Sequence, residues 1–221
     1  MNQTKDIRDI KAAIFDLDGT LLDSSQIWDG LGERFLSRRG MIPKPGLSAI
    51  LNRMSLPEGC EFLRVEYALP DSAAEIQTEV CGIIEGFYRR ECTLKPGAEQ
   101  LLRELHRRGV SLVIATAGDE TLSRAALERL GVFGMFRGIL TSAEYGGKDS
   151  PEIFLKAAEI AGYPPESTAV FEDALHAVLT AKAAGFLAAA VRDSSEREQE
   201  KLRLTADYYQ KSPGDYLNLF R

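Results

Sequence analysis

The sequence predicts an α/β fold: an open parallel sheet with helices on both faces, interrupted once by an all-helical insertion. Three observations lead there. The runs Ala12–Phe15, Leu112–Ala115, Thr168–Phe171 and Leu187–Val191 lack the alternation of a half-exposed strand, so they read as strands buried on both faces. From Leu94 onward such runs alternate with helical periods, the pattern of parallel strands joined by crossover helices. Between about Gln26 and Arg90 only helical periods recur. The expected organisation is a core of residues 1–22 and 92–221, with a helical cap at 23–91.

Taken in order, Ala12–Phe15 is the first strand, and it ends in Asp16-Leu17-Asp18-Gly19-Thr20. In the insertion, Trp28, Leu31 and Phe35 recur at helical spacing and are expected in a core. Short helical pieces follow at Leu47–Met54 and Glu58–Ala68. Asp71 or Ser72 can then cap a helix whose stripe is Ile76, Val80, Ile83, Ile84 and Phe87. Beyond it come a helix at Gly97–Arg108, closed by Gly109, and the strand that ends at Thr116-Ala117-Gly118. A helix at Glu120–Leu130, a short strand at Gly138–Leu140 and a helix at Glu152–Ala161 continue the alternation. The strand Thr168–Phe171, a helix at Ala174–Ala184 and the strand Leu187–Val191 complete it. Ser194–Lys201 reads as a solvated helix and Pro213–Phe220 as a closing helix. An insertion directly after the first strand is expected above the strand ends, where open α/β sheets bind ligands.

The bulk properties narrow the function classes. The chain has 221 residues, 44% of them hydrophobic and 27% charged, enough for a sizeable core in one or two domains. A net charge of -6 argues against a nucleic-acid surface, which normally carries a basic patch. Cys60, Cys81 and Cys92 have no metal-ligand spacing and read as buried small hydrophobes in a reducing compartment. The polar start, Met1 to Asp9, does not read as a signal peptide, and no apolar run is long enough to span a membrane. The expectation is a cytoplasmic chain, monomeric by default.

Four strand ends carry ionisable or polar groups. A buried strand that stops on two carboxylates, Asp16 and Asp18, calls for a compensating cation, because like charges held close oppose ionisation. Mg²⁺ suits such a place, since it takes one or two carboxylates together with substrate phosphate oxygens. Thr116 closes the second strand, Lys148 precedes a helix opened by Pro151, and Glu172-Asp173 closes the strand at Thr168–Phe171. This ordered set resembles the four motifs of the haloacid dehalogenase (HAD) superfamily, and with the cap position and the Glu172-Asp173 pair it is most similar to the beta-phosphoglucomutase-like subfamily.

The resemblance implies a Rossmann-like HAD core with a helical cap, and a Mg²⁺-dependent phosphatase acting on a small phosphorylated metabolite such as a sugar phosphate. It implies that Asp16 attacks phosphorus to form an aspartyl phosphate. Asp18 would protonate the leaving oxygen and then accept a proton from water, while its backbone carbonyl helps to bind the metal. Asp173 would be a third metal ligand, and Glu172 a further ligand or the group that orients one. Thr116, the backbone of Ala117, and Lys148 would hold the phosphoryl oxygens. Some positions depart from the pattern: Ala117-Gly118 replaces polar residues, Ala174 replaces a serine, Ala177 a glycine, and Asp149 a proline.

Other readings remain open. Asp18 disfavours a dehalogenase, which lacks the second acid. Lys44, the only cap lysine, lies in a Pro-rich loop and so disfavours a phosphonate hydrolase. A sugar phosphomutase would carry a basic cap segment that Leu51–Leu56 lacks. A non-catalytic phosphometabolite-binding protein would not need to keep the acid/base Asp18 beside Asp16, Thr116, Lys148 and Asp173, and a module for protein contacts would show a large exposed apolar patch. His176 reads as a helix-surface residue, and His106 likewise. Ser24–Asp29 and Lys44–Met54 are candidate specificity segments.

Overall fold

The computed structural model describes residues 6–220. The reading of Met1–Asp9 as a polar start falls partly on residues 1–5, outside the described residues. Strand β1 (Ala12–Phe15) is buried at all four positions. Helices α1 (Ser25–Trp28), α2 (Leu31–Arg38), α3 (Leu47–Leu51), α4 (Leu56–Glu66) and α5 (Ala73–Arg90) follow without an intervening strand. Residues Ser24–Glu91 form one compact unit; the chain up to Asp23 and from Cys92 onward forms the other.

In the helical unit, local chemistry sets the helix starts. Ser72, not Asp71, caps α5: its hydroxyl accepts from the Glu75 N–H, and the Glu75 carboxylate accepts from the Ser72 N–H at 2.8 Å. Ser55 and Glu58 repeat the device at α4, with Pro57 in the first turn. The stripe Ile76, Val80, Ile83, Ile84 and Phe87 is buried as the period predicts. Trp28 is not core: it is 46% exposed, because α1 is a single turn that ends there and Trp28 lines a cavity of about 190 Å³ with Leu31, Leu51 and Leu63. Cys81 likewise departs from expectation. It lies exposed on α5, while Cys60 and Cys92 are buried.

The larger unit continues with α6 (Ala98–Arg107), β2 (Ser111–Thr116), α7 (Glu120–Arg129), β3 (Phe136–Thr141), α8 (Glu152–Ala161) and β4 (Thr168–Glu172). It ends with α9 (Leu175–Ala183), β5 (Leu187–Val191), α10 (Gln199–Thr205), β6 (Tyr208–Gln210) and a 3₁₀ turn at Pro213–Phe220. All six strands are parallel, in the order β3-β2-β1-β4-β5-β6. The expected helix at Ser194–Lys201 is displaced to α10, because carboxylates hold the preceding residues in turns: Asp193 accepts from the Ser195 N–H and hydroxyl, and Glu196 from the Glu198 N–H. β6 escaped the sequence reading because three residues carry no period.

The strands are covered on both faces. On one, Ile153, Phe154, Ala157 and Ala161 of α8 and Ala177 and Ala181 of α9 pack on Ala12, Ile14, Val113, Ala115 and Val170. On the other, Phe15 stacks on Phe171 at 4.4 Å between ring centroids, and Phe171 meets the edge of Tyr216 at 5.1 Å. The buried Tyr216 hydroxyl donates to the Ala190 carbonyl at 2.7 Å, tying the closing turn to β5. Phe171 is therefore packed against both neighbours directly beneath Glu172. Phe171→Ala is expected to cost about 3–5 kcal/mol in urea denaturation, the range for emptying a buried aromatic site. A loss below about 1 kcal/mol would contradict this packing.

Candidate active site

The strand order places the site. β1 is central, between β2 and β4; the chain first runs outward to β3 and then returns across β1 to start β4. That reversal creates the crevice at the carboxyl ends where open α/β sheets bind ligands. Register aligns Phe15 with both Ile114 and Phe171, and the Asp16 N–H donates to the Phe171 carbonyl at 3.0 Å. Asp16 therefore emerges beside Glu172 and Asp173.

A tight loop follows. The N–H groups of Thr20, Leu21 and Leu22 all point to the Leu17 carbonyl, and the Gly19 N–H donates to the Leu22 carbonyl at 3.1 Å. Gly19 has φ +84°, and a Cβ there would lie 2.5 Å from Asp173 Oδ2. Only glycine meets both constraints. The buried Thr20 hydroxyl donates to Asp173 Oδ1 at 3.0 Å, so the loop and the end of β4 hold each other.

The positive partner comes from the loop after β3. Gly146 and Gly147 have φ of +75° and +94°, and the Gly147 N–H donates back to the Ser142 carbonyl at 2.9 Å. This turn sends Lys148 inward, where its buried ammonium donates to Asp16 Oδ1 and, at 2.6 Å, to Glu172 Oε1. The other Glu172 oxygen accepts from the N–H groups of Asp173 and Ala174, at 2.9 and 3.0 Å. Glu172 is thus committed to Lys148 and to the entry of α9, whereas Asp16 and Asp173 keep open coordination positions.

A cavity of about 360 Å³ collects Asp16, Asp18, Ala117, Lys148, Glu172 and Asp173 along its wall. Thr116 lies just beneath: its oxygen accepts from the Gly118 N–H at 3.0 Å, which leaves its hydroxyl proton free to donate. At Gly118 the departure leaves room for Asp18, since a Cβ there would lie 3.1 Å from Asp18 Oδ2. Of the residues proposed from the sequence, Asp16, Asp18, Ala117, Lys148, Glu172 and Asp173 line this one cleft, and Thr116 is buried at the end of β2 beside Gly118. Two lining residues were missed or discounted. Ser142 lies just past β3, between the expected strand and the Lys148 motif, and exposed His176 lines the cleft from the first turn of α9.

Electrostatics favour a cation. Ligand oxygens of Asp16, Glu172 and Asp173 lie within 4.8 Å of one another, all three residues buried. Burial, and repulsion from Glu172 and Asp18 that Lys148 only partly offsets, push Asp16 up to about 7. Burial and the charges of Glu172, Asp16 and Asp193 raise Asp173 well above the usual carboxylate range. Burial alone would lower Lys148, but Asp16 and Glu172 raise it, so it stays charged. Three buried carboxylates facing one ammonium fit a hard divalent ion held by Asp16 and Asp173, with Glu172 orienting the set.

Two outcomes follow. Gly19→Ala is expected to abolish divalent-ion binding by calorimetry, because its Cβ would displace Asp173; wild-type affinity would contradict the close approach. The raised carboxylates also set a pH dependence. Their stabilising contribution in the ion-free protein is present below the unfolded value of 3.8 and is lost as pH rises through about 7 for Asp16. Protons and cation then compete, so added divalent ion should raise the melting temperature more at pH 8 than at pH 5.5. An equal rise at both pH values would contradict it.

The family model for haloacid dehalogenase-like hydrolases matches residues 10–185. A Drosophila melanogaster protein provisionally named pseudouridine-5'-phosphatase is 30% identical over 196 residues, covering 86% of this chain and 84% of its own. Hexitol phosphatase A of Escherichia coli is 30% identical over 177 residues, covering 79% and 80%. A Thermotoga maritima crystal structure, provisionally named beta-phosphoglucomutase, has a TM-score of 0.85 at 24% identity over 95% of this chain and 98% of that one. The chain belongs to the haloacid dehalogenase-like hydrolase family: it has the fold of the beta-phosphoglucomutase-like members and is an enzyme of the phosphoric monoester hydrolase type.

Proposed function

We propose that this enzyme is a Mg²⁺-dependent phosphatase that hydrolyses a small phosphomonoester, a sugar phosphate or similar metabolite, through an aspartyl phosphate on Asp16. The observation that carries the reading is the convergence of Asp16, Asp18, Lys148, Glu172 and Asp173 on one cleft above Thr116. The core segments 1–22 and 92–221 contain all of these groups, and the helical segment 23–91 contains none. Mg²⁺, held by Asp16, Asp173 and the Asp18 carbonyl, would offset the charge between carboxylate and phosphate.

The chain's own groups account for the steps. Lys148 holds Asp16 through Oδ1, which leaves Oδ2 to attack phosphorus. An O–P bond forms at Asp16 as the bond from phosphorus to the leaving oxygen breaks, and Asp18 gives that oxygen its proton. Water then attacks phosphorus, Asp18 takes back a proton, and the bond to Asp16 breaks to release inorganic phosphate. The Thr116 hydroxyl, the Ala117 backbone and Lys148 stabilise the phosphoryl oxygens. The hexitol phosphatase likeness supports a polyol or sugar phosphate as substrate.

The test is phosphate release from a panel of phosphomonoesters, with Mg²⁺ and with chelator. Asp16→Asn is expected to lose about 10³-fold or more in kcat while remaining folded, as removal of a nucleophile does. Wild-type turnover in that variant would sink the reading. The fold likeness also supports a phosphomutase, for which beta-glucose 1-phosphate would be isomerised without phosphate release. Ligand binding with neither reaction would favour a non-catalytic phosphometabolite-binding protein.

A further inference from the structure

Lys95 precedes Pro96-Gly97 and matches no motif, yet its side chain is only 10% exposed. Its ammonium has three acceptors: the Gly19 carbonyl, the Arg192 carbonyl at 3.0 Å and Asp193 Oδ2 at 2.7 Å. An ammonium has three N–H bonds, so its donor capacity is filled. The backbone reinforces the contact. The Lys95 N–H donates to the Leu21 carbonyl at 2.8 Å and the Asp23 N–H to the Thr93 carbonyl at 2.9 Å, so residues 93–95 run against the end of the Asp16–Thr20 loop.

The carbonyl that Lys95 holds belongs to Gly19, whose backbone passes against Asp173 and whose neighbours are Asp18 and Thr20. Fixing that carbonyl fixes the rotation of the loop, and hence where the Asp18 carbonyl and the Thr20–Asp173 hydrogen bond fall. At its far end Lys95 is anchored by Asp193, itself only 5% exposed. The segment after Asp193 reaches the same site from the other side: Glu196 Oε2 accepts from the Leu175 N–H at 2.8 Å, two residues past Asp173. Asp193 hydrogen-bonds and offsets the charge of Lys95, and the hold of Lys95 on the loop is set by hydrogen-bond geometry.

We propose that Lys95 is a positioning residue for the metal and phosphoryl site, setting Asp18 and Thr20 relative to Asp173 through the Gly19 carbonyl. The inference rests on the reading that Asp16, Asp18 and Asp173 form that site. It is tested in the full chain by Mg²⁺ calorimetry, melting temperature and steady-state kinetics on the best substrate of the panel. Lys95→Met is expected to weaken Mg²⁺ about 10- to 100-fold, the usual effect of removing a group that orients metal ligands, and to lower kcat more than it changes KM. Asp193→Asn keeps Lys95 on the Gly19 carbonyl, so it should lower the melting temperature but weaken Mg²⁺ less than Lys95→Met does. Should Lys95→Met fail to fold, Lys95→Gln supplies the same comparison. A folded Lys95 variant with a lower melting temperature but wild-type Mg²⁺ affinity and kcat would overturn the proposal and leave the phosphatase reading intact. A wild-type protein that binds no Mg²⁺ would overturn both.

Discussion

The structure turns on an imbalance of charge at the end of its central strands. Asp16, Glu172 and Asp173 are all but removed from solvent, and among the described residues one ammonium, that of Lys148, is paired with Asp16 and Glu172. Burying a carboxylate is costly unless it is paired and hydrogen-bonded. Glu172 meets that condition with Lys148 and two backbone N–H groups. Asp16 and Asp173 meet it only in part, and this incompleteness fits the site to a cation.

Much of the fold serves to hold that imbalance in place. The parallel register brings Asp16 beside Glu172, and the glycines at 146 and 147 turn Lys148 inward. Gly19 lets the first loop pass against Asp173, and Gly118 lets Asp18 approach the end of β2. Each glycine is needed for a different reason: φ and close approach at Gly19, φ at Gly146 and Gly147, and room at Gly118. Around them, apolar packing from α8, α9 and Tyr216 keeps the strand ends from relaxing apart.

The legibility of the sequence varied with the range of the forces involved. The strands Ala12–Phe15, Thr168–Phe171 and Leu187–Val191 were plain, because burial on both faces leaves continuous apolar runs. The stripe of α5 was plain for the same reason at helical period. Trp28 misled because its spacing matched Leu31 and Phe35, whereas its exposure depends on a one-turn helix that spacing does not reveal. The start of α10 was misplaced because Asp193 and Glu196 capture the backbone before the helix can begin. In the site, the motif residues were recognisable as an ordered set at successive strand ends, since Thr116 or Lys148 alone carries little signal. The three-way use of Glu172 and the reach of Lys95 to Gly19 depend on tertiary contacts and leave no local signal.

The central claim is that Asp16 is the group that takes the phosphoryl, with a metal ion between it and Asp173. A crystal structure of the wild-type protein with Mg²⁺ and beryllofluoride, which mimics a phosphoryl group on a carboxylate, tests it most directly. The account predicts beryllium joined to an Asp16 oxygen, Mg²⁺ bound by Asp16, the Asp18 carbonyl and Asp173, and Lys148 and Thr116 on the fluorines. Beryllofluoride attached elsewhere, or an ion that ignores Asp16 and Asp173, would contradict it.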